Sequence, residues 1–268
     1  MTEQGYPVGE INTSRAHPAR MYDYYLGGKD NYLVDREAAQ QIIKASPEIV
    51  DSALANREFL RRTVAYLAGL GISQFIDIGT GIPTSPNTHQ IAQSVNPDAR
   101  VAYIDNDPIV AAHAGARLLR AGNTAFGLVD LRDPQAILDH PAVTTLIDLA
   151  EPVAVLLVSV LHFVSDDEDP AGTVALLRDA VPSGSHLVLS HGTADFHAQQ
   201  VGEAVSVYGK ATASLSLRPH DEVLAFFDGF ELLEPGLVRV PLWHPHGTEP
   251  GPDELRNIGI YGGVGRKP

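Results

Sequence analysis

Gln74-Phe75-Ile76-Asp77-Ile78-Gly79-Thr80-Gly81-Ile82-Pro83 is a short apolar run that ends in a glycine-rich turn, and a helical pattern follows it. A second apolar run, Val101-Ala102-Tyr103-Ile104, ends in Asp105. Strand, glycine turn, helix, strand and acid in that order are the layout of a nucleoside-binding βαβ unit. The acid suits a ribose diol, because one carboxylate can accept hydrogen bonds from two neighbouring hydroxyls.

The pattern around this unit repeats it. Near-continuous apolar runs at 72–78, 100–105, 124–129, 153–159 and 185–190 read as parallel strands buried on both faces. Helical patterns at 86–95, 108–120, 134–138 and 170–181 separate them, with Ser85-Pro86 as an N-cap and first-turn pair for the first. Two more strands are expected at 230–240 and 257–263. Upstream, apolar residues at helical spacing predict helices over 35–46 and 51–70, and residues 1–34 read as irregular. The fold class expected is therefore α/β, a Rossmann-like doubly wound and mostly parallel sheet with an N-terminal helical cap. One domain spans 1–268: an arm and cap over 1–70, and a core over 71–268.

Composition narrows the function. The chain has 268 residues, no cysteine and a net charge of -14. Disulfide frameworks and thiolate metal sites are excluded, and no metal is expected. The acidic balance disfavours a general electrostatic hold on nucleic acid or on an anionic membrane. The N-terminal residues lack a signal-peptide pattern and no apolar run has spanning length, so a cytoplasmic location is expected. A small-molecule partner fits this charge, and self-association is left open.

In a doubly wound sheet, ligands sit beyond the C-terminal strand ends. The first strand ends at Asp77, and Gly79-Thr80-Gly81 follows. The third glycine of the dinucleotide fingerprint is missing, and Pro83 and Pro86 remove amide donors near the helix start. The turn thus suits a ligand without phosphates. The second strand ends in Asp105-Asn106-Asp107-Pro108; Asp107 reads as a helix cap, which leaves Asp105 for the ribose. After the third strand, Asp130 can accept from an exocyclic amine and Leu131 offers an apolar contact. The fourth ends at Ser159 with His162 close behind, and the fifth runs into His191. A histidine in such a place is more often structural than catalytic, but these two are the candidate general bases.

These strand ends together resemble the class I S-adenosylmethionine (SAM) dependent methyltransferases. The matching segments are Asp77-Ile78-Gly79-Thr80-Gly81, Tyr103-Ile104-Asp105-Asn106-Asp107-Pro108 and Val129-Asp130-Leu131. Pro18-Ala19-Arg20-Met21-Tyr22-Asp23-Tyr24-Tyr25-Leu26-Gly27-Gly28-Lys29-Asp30-Asn31-Tyr32 is similar to the signature of one bacterial subfamily, long labelled a domain of unknown function. Asn56-Arg57-Glu58-Phe59-Leu60, Leu161-His162-Phe163 and Tyr261-Gly262-Gly263-Val264-Gly265-Arg266 resemble it too. The resemblance implies a seven-stranded sheet with its last strand antiparallel. It also implies SAM bound on Gly79–Gly81, with Asp105 on the ribose and Asp130 near the adenine. Pro83 departs from the broader family, where a glycine is commoner.

SAM carries a sulfonium cation and no phosphate, which fits the acids and the turn. Tyr22, Tyr24, Tyr25 and Tyr32 surround Gly27-Gly28. They form either an arm packed on the core or a lid whose aromatic faces meet the sulfonium. Asn31 and Arg57 are candidates for the amino-acid end of the cofactor. The connection 191–217 is long and is expected to help line an acceptor pocket, with helical spacing over 201–207. The activity implied is methyl transfer from SAM to an unidentified small acceptor. The alternatives are an NAD(P)-dependent oxidoreductase on a similar fold and a non-catalytic SAM-binding regulator; a nucleic-acid methyltransferase is disfavoured by charge.

Overall fold

The computed structural model describes residues 13–118, 122–196 and 201–268. The N-terminal reading over 1–12 and the end of the helix expected over 108–120 lie outside them.

The cap is built from α1 (Pro18–Tyr25), α2 (Leu33–Ala45) and the first half of α3 (Ile49–Gly69). Helix α1 corrects the irregular reading of 1–34. Its periodicity is masked in the sequence because it buries Arg20 and Asp23 beside Met21 and Tyr25. His17 is its N-cap, with Nδ1 accepting from the Ala19 amide, and Pro18 takes the first helical position. Helix α3 belongs to two layers. Ala53 packs in the cap cluster with Met21 and Ile42, whereas Phe59, Val64 and Leu67 pack on the sheet.

Five parallel strands follow: β1 (Gln74–Ile78), β2 (Arg100–Asp105), β3 (Thr124–Leu128), β4 (Ala154–Val158) and β5 (His186–Gly192). Between and beyond them lie α4 (Thr88–Val95), α5 (Pro108–Arg117), α6 (Pro134–Asp139), α7 (Pro141–Thr144), α8 (Pro170–Asp179), α9 (Val201–Tyr208) and α10 (His220–Ala225). The sheet is completed by β6 (Glu231–Leu232), β7 (Val238–Arg239) and β8 (Ile260–Arg266). Strand order is β3-β2-β1-β4-β5-β8-β6, with β7 also on β8, and β8 runs antiparallel to β5, β6 and β7. The expected 230–240 strand is split in two, so the sheet has eight strands rather than seven. Pro235 and Gly236 lie at the break, and Gly236 has a positive φ of 89° and donates its amide to Leu233 O.

Burial on both faces explains the continuous apolar runs. Phe75, Val101, Tyr103 and Leu156 point to one face, and Ile76, Ala102, Ile104 and Leu157 point to the other. The expected cap at Ser85-Pro86 is corrected by two residues. Asn87 is the N-cap of α4, and Gln90 Oε1 reaches back to accept from the Asn87 amide at 2.7 Å.

Candidate functional site

The C-terminal ends of β1, β2 and β4 and the turn after β3 border a cavity of about 450 Å³, closed over by α1, α3 and the segment after α9. Its volume is within the range of small-molecule sites. Asp77, Gly79, Thr80, Gly81, Asp105, Asn106, Asp130, Leu131 and Ser159 all line it, as do Tyr22, Arg57 and His162.

The glycine turn is fixed by the strand beside it. Gly79 and Gly81 both adopt left-handed conformations, with φ of 71° and 68°. A Cβ on Gly79 would lie 2.2 Å from Val160 Cγ2. The turn's amides are also committed. Gly79 and Thr80 both donate to the carbonyl of Ile104, at 2.8 and 3.2 Å, and Gly81 donates to Asp105 Oδ2 at 2.8 Å. Those three amides are therefore not free to cradle a pyrophosphate. A neighbouring carboxylate takes its place, so the donor set fits a phosphate-free nucleoside and not a dinucleotide.

Asp105 is 5% exposed. Burial pushes its carboxyl up to about 7, although the amides of Asp107 and Gly81 pull the other way by bonding its charged form. Asp77 is likewise pushed up by burial, partly offset by Thr88 Oγ1, which donates to it at 2.5 Å. Burial also pushes Asp130 up, but the Arg132 amide, Asn106 Nδ2 and the Arg132 guanidinium outweigh it and hold the carboxyl below the usual range. Ser159 has φ 54°, and its amide donates to Ser190 Oγ at 2.9 Å.

The N-terminal candidates divide. Tyr22 faces the cavity while its hydroxyl donates to Ala53 O and accepts from Asn56 Nδ2, each at 2.9 Å. Arg57 lines the cavity too, and its guanidinium donates to the carbonyls of Thr84 and Pro86. Tyr24, Gly28, Asn31 and Pro83 do not line it. Tyr24 turns outward, where its hydroxyl accepts from Gln40. Gly28 and Asn31 instead serve Asp23: Asn31 Nδ2 donates to its carboxylate at 2.7 Å, and a Cβ on Gly28 would collide with it. Pro83 is buried behind the turn.

The sequence reading missed His17 and Arg20, which also line the cavity. Arg20 is 2% exposed and lies 3.5 Å from both Asp35 and Asp107; His17 Nδ1 lies 3.2 Å from Asp107. Burial lowers the His17 pKa despite the nearby acid. This buried cluster ties the cap to the end of β2. Of these residues, Arg20 alone lies in the segment similar to the subfamily signature.

His191 is corrected as a candidate base. Its Nδ1 donates to Gly192 O at 2.7 Å, and its Nε2 accepts from Arg218 at 3.0 Å, so both ring nitrogens are occupied. It is fully buried, stacks on Phe226 and lies outside the cavity lining. His162 does line the cavity, but its Nδ1 accepts from the Gly192 amide at 3.2 Å. A neutral ring in that tautomer carries its hydrogen on Nε2 and is a donor there, not a base. Burial, aided by the His191 and Arg218 neighbours, holds its pKa well below the ordinary value.

A doubly wound sheet of this order, with a glycine turn and a strand-end acid, defines a Rossmann-like nucleoside-binding protein of the methyltransferase type. Residues 5–268 match the family model described as S-adenosyl methyltransferase, and the chain belongs to that family. It is similar to a DUF574 family protein from Streptomyces avermitilis, at 45% identity and TM-score 0.93, covering 97% of this chain and 100% of that one. It is also similar to a candidate methyltransferase from Thermobifida fusca, at 41% identity and TM-score 0.90, covering 98% of each. Human N-acetylserotonin methyltransferase in complex with SAM shares the fold at 12% identity and TM-score 0.51, over 94% of this chain and 63% of that one. No curated protein matches the sequence. The cofactor of the family is SAM. Among the described residues, no helix is long and apolar enough to cross a membrane, and no cluster of potential metal ligands occurs.

Proposed function

We propose that this SAM-dependent methyltransferase holds the cofactor across the tips of β1, β2 and β4 and transfers its methyl group to a small-molecule acceptor. The observation that carries this reading is the commitment of the Gly79, Thr80 and Gly81 amides to Ile104 O and Asp105, beside a buried carboxylate. Asp105 takes the ribose hydroxyls, and Asp130, with Leu131 beneath, takes the adenine edge. Asp77 supplies negative charge toward the cationic end, and Arg57 faces the carboxylate of the amino-acid tail. The Tyr22 ring flanks the sulfonium, a cation–π contact of about 0.5–2 kcal/mol.

When bound, SAM supplies an electrophilic methyl carbon; the acceptor's lone pair bonds to it as the carbon–sulfur bond breaks, and the electron pair stays on sulfur in S-adenosylhomocysteine. The residues around it supply position and exclusion of water, which together can lower such a barrier by about 7–11 kcal/mol. Neither histidine is needed as a base in this scheme; a proton on the acceptor leaves to solvent after transfer. Calorimetry with S-adenosylhomocysteine tests the reading. Binding in the micromolar range or tighter is expected, weakened by about 1–3 kcal/mol in Asp105→Ala. An unchanged dissociation constant in the folded variant rejects the assignment of Asp105.

A further inference from the structure

The cavity continues past the strand tips into a compartment between the cap helices, and its chemistry changes there. The walls are Tyr22 and Tyr25 of α1, Ile49 and Ala53 at the start of α3, Phe163, and Leu215 after α9. Several polar side chains on and beside these walls are spent within the protein. Ser52 Oγ donates to Asn257 O and accepts from the Gly259 amide. Asn56 Nδ2 donates to Tyr22, and its Oδ1 accepts from Ser190 Oγ at 2.6 Å. The Tyr25 hydroxyl is buried beside that of Tyr208. Glu48, at the compartment's edge, already has a partner.

The acids therefore collect at the strand tips, and the compartment beyond presents ring faces and methyl groups. A charged group packed against those faces would lose hydration, which is costly. A flat neutral ring would instead find tyrosine and phenylalanine surfaces to pack on. A polar group is available at the floor. His162 accepts the Gly192 amide on Nδ1 and keeps its hydrogen on Nε2. It can donate to one lone pair of an acceptor oxygen while another attacks the methyl group.

We propose that this compartment takes a neutral aromatic acceptor bearing one nucleophilic oxygen, which His162 aligns. The inference rests on the methyltransferase reading and sharpens it to a substrate class. The test uses one ring system in three charge states: 2-naphthol, 2-naphthoate and 2-naphthylmethylammonium. Each is titrated into protein saturated with S-adenosylhomocysteine. Binding of 2-naphthol at least about tenfold tighter than either charged analogue is expected. In Ala53→Phe that binding is lost while S-adenosylhomocysteine still binds; Leu215→Trp serves if the first variant does not fold. Tighter binding of a charged analogue overturns the proposal. So does failure of 2-naphthol to bind the loaded protein, or undiminished binding in the filled variant. Failure of S-adenosylhomocysteine itself to bind is a different result, which strikes the cofactor reading.

Discussion

Ser190 Oγ donates a hydrogen bond to Asn56 Oδ1 at 2.6 Å, joining the end of β5 to the middle of α3. Asn56 passes the connection on, since its Nδ2 donates to the Tyr22 hydroxyl, which donates to Ala53 O. On the other side, Ser190 Oγ accepts from the amide of Ser159, the left-handed residue after β4. One chain of hydrogen bonds thus fixes the β4 tip, β5, α3 and the aromatic wall of the cavity relative to each other. Asn56 is 2% exposed, so removing it takes one hydrogen-bond partner from each of two hydroxyls, Tyr22 and Ser190. Asn56→Ala should lower stability by about 2–3 kcal/mol in urea denaturation. In a cycle with Ser190→Ala the double variant should lose less than the two single losses summed, by about 0.5 kcal/mol or more. Strict additivity would mean that the two side chains act independently.

Asp105 makes cofactor affinity depend on pH, and the sign can be worked out. Its folded-state carboxyl stands at about 7 because burial penalises the charge. Ribose hydroxyls donate to a carboxylate better than to a protonated acid, so the ligand favours the charged form. Affinity for S-adenosylhomocysteine should therefore rise as pH climbs from about 6 to about 8, with a proton released on binding. Calorimetry in two buffers of different ionisation enthalpy checks the release. Asp105→Asn should flatten the dependence. Without ligand the sign reverses: the folded carboxyl binds its proton more tightly than the unfolded one. Asp105 therefore contributes stability that is lost as pH rises from about 4 toward about 7.

The strands and their order of use were legible because five of them are buried on both faces, which leaves a continuous apolar signature. The place of Asp105 at the cavity was legible for a related reason, since Pro108 and the capping Asp107 accounted for the neighbouring acid. What stayed hidden depends on pairing at long range. Nothing local to Arg20 announces that it lies between Asp35 and Asp107, and nothing local to Asn56 announces Ser190. The histidines show the same limit. In the sequence both read as lying at strand ends, but His191 sits within β5 with its ring against Phe226 and Arg218, whereas His162 turns toward the cavity. Tyr24 and Tyr22 are two residues apart on α1, and that spacing puts them on different sides of the helix. The tyrosine cluster in the sequence could not reveal which ring faces inward.

Gly79 offers a test of the turn itself. Alanine there would hold a left-handed φ of 71° and place its Cβ 2.2 Å from Val160 Cγ2 and 2.6 Å from Val160 Cβ. The conformational cost alone is about 1–2 kcal/mol, and the collision adds to it. Gly79→Ala should lower the melting temperature and abolish S-adenosylhomocysteine binding by displacing the turn. Adding Val160→Ala should rescue little, because the colliding Cβ remains; Val160→Gly in its place should recover more. Equal rescue by the two second-site changes would show that the collision is not what disables the turn.

His191 gives the last prediction, an acid sensitivity unconnected with catalysis. Burial, with help from the Arg218 cation, pulls its pKa from 6.5 down to about 4, against the opposing pull of the Gly192 carbonyl. Between those values the unfolded chain binds a proton that the folded chain refuses. Stability from this residue is therefore complete above 6.5 and falls as pH drops toward about 4. Asp105 and Asp77 slope the other way, since both are pushed up by burial. A difference between variants isolates the histidine from them. His191→Gln keeps an acceptor for Arg218 but does not titrate. Its urea midpoint should lie below that of the parent chain at pH 7, and the gap should narrow at pH 5. A gap that stays constant between the two pH values would mean that folded His191 takes up its proton as readily as in the unfolded chain, contrary to the hydrogen bond its Nε2 accepts from Arg218.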